Sequence, residues 1–225
     1  MILITSCQSD IKSGFRKYII VKAGGYFMRK LILLTITLIF VACTADELPS
    51  DADAVVDEAA LANFEGDFLK VLGDHSFIYD VKINNDDIQE IVAYVDYYEN
   101  GEFIERIADL STYFSDSNAD VSVAFVQQTF QETYEKWNVA IIDDSGSGAL
   151  ETENEHPKSR HDVLSTVWGS VGMPVNLTMG DAQVIAYVIY SDESTISSSS
   201  SIETEEDLQK LTNHEYVYVL SMDIK

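Results

Sequence analysis

The chain has 225 residues, and 38 Asp and Glu against 14 Lys and Arg leave a formal charge of −24, which excludes nonspecific attraction to nucleic acid or anionic lipid. It is 46% hydrophobic and long enough to bury a core of its own. Its two cysteines, Cys7 and Cys43, leave residues 44–225 with no disulfide framework, thiol nucleophile or cysteine-ligated zinc.

The chain opens on a segment, residues 1–27, that two readings explain. One is an extended basic leader carrying Lys12, Arg16, Lys17 and Lys22. The other is a mis-called start, because Ala23-Gly24-Gly25-Tyr26-Phe27-Met28 can be encoded as GCA GGA GGA TAT TTT ATG, a ribosome-binding pattern just ahead of an initiator codon. The second is favoured, and 1–27 is set aside in reasoning about the fold.

Residues 28–42 have the layout of an export signal. Arg29 and Lys30 precede the apolar run Leu31–Val41, which fits a signal core of roughly 7–15 residues and falls short of the ~20 that span a bilayer. Phe40-Val41-Ala42-Cys43 resembles the lipobox of bacterial lipoproteins, with Phe40 where Leu is usual. That resemblance implies cleavage before Cys43, acylation of its sulfur, and anchorage to the outer, extracytoplasmic face of the cell membrane. Thr35–Ala42, once released, also resembles the apolar peptide pheromones that some bacteria make from such leaders. From Cys43 onward the chain holds eight Lys and Arg against 37 Asp and Glu, a net charge of −29 that invites a cation or a basic protein partner.

Residues 43–58 are small and acidic and are expected to form a flexible tether, followed by one domain over 59–225. Ala59–Leu72 has the pattern of a short amphipathic helix. Nine short β-branched and aromatic runs follow, namely 77–83, 91–99, 103–110, 121–128, 137–142, 164–167, 175–179, 184–190 and 216–224, separated by Asn, Gly, Asp and Ser turns. Thr204-Glu205-Glu206-Asp207 reads as a capped helical turn ahead of the last of them. The expected fold is all-β, an antiparallel β-sandwich of immunoglobulin-like architecture with one or two short helices. Val184–Ile189 and Tyr216–Leu220 are apolar on both parities, so both are expected to be central strands.

Candidate chemistry is sparse. Counting back from a type I′ turn at Asn100-Gly101 sets Asp96 opposite Glu105, between Tyr98/Phe103 and Tyr94/Ile107. Like charges directly opposite repel, so the pair is a candidate cation site or acid pair unless both carboxylates face water. Asp116-Ser117-Asn118-Ala119-Asp120 begins like a calcium loop but lacks its turn glycine and bidentate glutamate. His156 and His161 lack zinc spacing, and Gly169-Ser170-Val171-Gly172 is no nucleophile elbow. No catalytic residue, metal site or cofactor emerges.

Val95–Gly101, Trp137–Ile141 and Ser165–Ser170 resemble uncharacterised surface lipoproteins of Gram-positive bacteria, which implies a β-rich lipid-anchored domain and brings no activity. The expected function is a lipid-anchored envelope binding or accessory protein, the ligand left open; the alternative is an envelope hydrolase using Asp96 and Glu105. A frameshift between codons 2 and 20 should leave expression intact. Loss of the protein on immunoblot would place the start at Met1.

Overall fold

A computed structural model describes residues 52–113, 120–131, 134–155, 163–196, 201–202 and 204–225. Cys43, the signal segment, Asp116–Ala119, His156 and His161 lie outside the described residues.

The elements are β1 (Ala54–Glu58), α1 (Asn63–Leu72), β2 (His75–Ile83), β3 (Glu90–Glu99), β4 (Glu102–Tyr113), β5 (Asp120–Gln131) and β6 (Tyr134–Asp143), then β7 (Gly146–Glu155), β8 (Ser165–Ser170), β9 (Val175–Leu177), β10 (Gln183–Ser191), α2 (Glu205–Thr212) and β11 (Tyr216–Ile224). The strands form two sheets, A in the order β7-β6-β5-β2-β1-β9 and B in the order β4-β3-β11-β10-β8. Every named strand pair is antiparallel, so the fold is the expected β-sandwich, although the eleven strands among the described residues exceed the seven or nine of immunoglobulin domains. Alternate residues of the A strands enter the core: Phe77, Tyr79 and Val81 on β2, Val121, Val123 and Phe125 on β5, Trp137, Val139 and Ile141 on β6.

Sheet B is different, because its inner strands are covered on both faces. Ile91, Ala93 and Val95 of β3 with Tyr218, Leu220 and Met222 of β11 face sheet A. On the opposite side Tyr187 and Ile189 of β10 and Val217 and Val219 of β11 pack with Leu211 and Leu208 of α2. That is why the β10 and β11 sequences are apolar on both parities, and both strands are interior as expected. Thr204 caps α2 by accepting the Asp207 N–H at 3.2 Å, as its Ser/Thr-type cap sequence suggests.

Two strands depart from expectation. Ala54–Glu58, expected to lie in the tether, is a strand instead: β1 pairs with both β2 and β9 and buries Ala54 and Val56. Two inward apolar residues are too weak a sequence signal; pairing on both sides supplies the stability. β7 was absent from the expected set because Ala149–Glu155 is acidic on its outer face, and only Leu150 of its inner face packs against the core as a large apolar side chain. At the entry to β1, the Asp53 carboxylate accepts the Met179 N–H at 2.8 Å and Asn85 Nδ2 at 2.7 Å. The Met179 bond, then the Asn85 bond, lowers the Asp53 pKa. This tie therefore contributes above the unfolded-state pKa and is lost as pH falls through the folded one.

Strand β11 lies between β3 and β10, and the carbonyl of Lys225 accepts the N–H groups of Gln89 and Glu90. Deleting residues 216–225 should abolish the cooperative melt followed by circular dichroism. Leu220→Ala, at a site with no exposed surface, should cost about 2–5 kcal/mol in urea denaturation.

Candidate functional site

The β3–β4 hairpin turns at Asn100 (φ 50°) and Gly101 (φ 87°), the two left-handed residues that a type I′ turn needs. Glu99 faces Glu102 and Tyr98 faces Phe103, as counted from the turn. Beyond them β4 carries two bulges. Ile104 is the extra residue in the first, so Tyr97 faces Glu105 and Asp96 faces Arg106; Ile107 is the extra residue in the second.

The carboxylate pair Asp96/Glu105 is therefore not formed. Arg106 Nε lies 2.7 Å and Nη2 3.1 Å from the two oxygens of the buried Asp96, a bidentate clasp. Its guanidinium sits 3.5 Å from the Tyr94 ring centroid and reaches Asp109 at 3.4 Å. The hydrogen bond to Asp96 is the main reason the Arg106 pKa is raised. Asp96 thus has its cation within the protein. A cross-strand carboxylate pair does exist elsewhere: Asp57 on β1 directly faces Asp80 on β2, both exposed on the outer side of sheet A. The sequence does not display this pair, because Ala54–Glu58 has only two inward apolar residues to mark it as a strand. Ser122 Oγ donates to Asp80 at 3.0 Å.

One end of the core is polar. The buried Gln127 Nε2 donates to Glu135 Oε2 at 2.7 Å, and Trp137 Nε1 donates to Glu135 Oε1 at 3.3 Å. From sheet B, Tyr190 OH donates to Gln127 Oε1 at 3.0 Å, and the Tyr218 hydroxyl also hydrogen-bonds Glu135. Burial raises the Tyr218 pKa well above its ordinary value, keeping it a proton donor. Tyr218 stacks on Tyr97, with centroids 5.0 Å apart, while His75 meets the half-exposed Trp168 at 4.4 Å. This network spans the sheets with amide, indole and phenol donors around one carboxylate; it holds the two layers in register. Glu135 and Gln127 carried no sequence signal, because a polar residue in an alternating strand reads as outward-facing.

The outer side of sheet A is acidic. Glu151, Glu153 and Glu155 project from β7 opposite Asn138, Lys136 and Tyr134 of β6. Lys136 Nζ lies 3.0 Å from Glu151 and 3.7 Å from Glu153, and the hydrogen bond to Glu151 is the main cause of its raised pKa. Among the described residues no group of His, Cys, Asp and Glu is arranged to hold a metal ion.

Residues 55–224 match the YgaN domain over almost the whole sandwich. The chain belongs to the YgaN domain family. No curated protein and no solved structure matches it. The YgaN match starts within β1 and ends with β11, in agreement with a domain that includes Ala54–Glu58.

Two substitutions separate the observed register from the one counted at the turn. Asp96→Asn should destabilise by about 1 kcal/mol, the value of a charged hydrogen-bonded pair discounted because Arg106 is more than a third exposed. Asp80→Asn should be neutral or stabilising by about 0.2–1 kcal/mol, since it removes a like-charge neighbour. Thermal melts at matched ionic strength measure both.

Proposed function

We propose that this protein is a lipid-anchored binding or accessory component on the outer face of a bacterial cell membrane, with the YgaN domain as its binding part. One observation carries the reading: ten residues, 44–53, separate the lipobox cysteine Cys43 from the first strand of the sandwich. Fully extended, that link reaches roughly 35–40 Å, so acylation would hold the domain close to the membrane surface. The resemblance of Val95–Gly101 and Ser165–Ser170 to Gram-positive surface lipoproteins supports the same placement. Among the described residues no helix is long and apolar enough to cross a membrane, so an attachment through Cys43 does not compete with a spanning segment there.

A binding role is favoured over hydrolysis by the chemistry on view. The hydrolase alternative stood on Asp96 and Glu105, and the first β4 bulge sets Asp96 against Arg106 instead. Glu135 is enclosed by hydrogen-bond donors and has no exposed surface to offer a substrate beyond a trace.

Cys43→Ser should release the protein from the membrane fraction or leave its leader uncut. Mass spectrometry of the membrane-bound wild type should find the N-terminal cysteine acylated. An unmodified Cys43 within an intact leader overturns the anchor.

A further inference from the structure

We infer that α1 together with the β5–β6 end of sheet A forms a docking surface for a cationic polypeptide bearing apolar side chains. This deepens the binding role proposed above and rests on it.

Phe68, Val71 and Leu72 are spaced i, i+3, i+4 and share one helix face, yet they are 52%, 80% and 37% exposed. Two polar bonds tie the C-terminal end of α1 to the sheet: Ser76 Oγ donates to the Leu69 carbonyl at 3.4 Å, and Gln128 Nε2 donates to the Leu72 carbonyl. The second bond brings the helix end to within two residues of Phe130, which is 48% exposed and pairs with Tyr134, 40% exposed, at 6.2 Å. Large apolar side chains left exposed near one another are a mark of interaction surfaces. Lys136 Nζ lies 6.0 Å from the Phe130 ring centroid and is matched by Glu151 and Glu153, while Glu155 stands directly opposite Tyr134, so carboxylates outnumber the lysine at this edge of the patch.

Charge selects among occupants. A second copy, or an anionic lipid surface, would meet a chain carrying −29 beyond Cys43, whereas a basic partner gains from it. Chain direction agrees. β1 begins opposite Ile83 and runs toward Tyr79, so the link to Cys43 joins the sandwich at the end away from His75, Gln128 and α1. The start of β1 therefore leaves the patch unobstructed.

The test uses the full chain in phosphatidylcholine nanodiscs, with empty discs as reference and a labelled amphipathic Lys/Leu peptide as probe, read by fluorescence anisotropy. A Lys/Ser peptide and a Glu/Leu peptide should bind at least tenfold more weakly. Val71→Ser combined with Phe130→Ser should weaken the Lys/Leu peptide tenfold or more without moving the thermal midpoint, and Tyr134→Ser should act the same way. Equal binding of Lys/Ser and Lys/Leu, or binding unaffected by these variants, overturns the surface while leaving a binding role elsewhere. A dimer of the wild type lost in Val71→Ser would assign the face to a second copy and overturn the cationic partner. Acylation of Cys43 is read separately, so failure of the anchor and failure of this surface are distinct results.

Discussion

The structure depends on burying both faces of β11. Its inward side chains, Tyr218, Leu220 and Met222, complete the core against sheet A, and its outward Val217 and Val219 need the cover that α2 supplies. A strand of this kind forms only when two neighbours and two layers are already at hand, so the final nine-residue strand ties together β3, β10, the core and the helix before it. The β3–β4 turn is drawn into the same arrangement, because Asn100 N–H donates to the His214 carbonyl and Gly101 N–H to the Thr212 carbonyl. The hairpin's tip is thus fixed by the segment that leads into β11.

The two bulges in β4 show how little backbone separates one electrostatic outcome from another. A flat hairpin would set Asp96 against Glu105; one extra residue at Ile104 sets it against Arg106. Like-charge repulsion is replaced by a bidentate hydrogen-bonded pair stacked on Tyr94, and a carboxylate that would need water is able to sit buried. At Asp57 and Asp80 no bulge intervenes, and that pair stays exposed, where water screens it.

Carboxylates dominate beyond Cys43, and exposed apolar residues of α1, with Phe130 and Tyr134, lie at the end of the sandwich away from the start of β1. The polar network around Glu135 lies inside that same end, spanning from Gln127 to Tyr190 and Tyr218.

Local patterns were enough to establish the β class, the central places of β10 and β11, the Asn100-Gly101 turn and the Thr204 cap, since each depends on apolar parity or on residues adjacent in sequence. The proposed export signal and lipobox at 28–43 rest on contiguous residues alone. Tertiary structure alone decided the rest. β1 and β7 carry weak strand sequences and are held by their neighbours; Glu135 and Gln127 are inward because partners on sheet B meet them; Asp96 pairs with Arg106 because bulges follow from packing and twist, not from the turn. The physical reason is common to all three: pairing, burial and register are set by residues distant along the chain, and their energies outweigh the few tenths of a kcal/mol of local preference that a sequence displays.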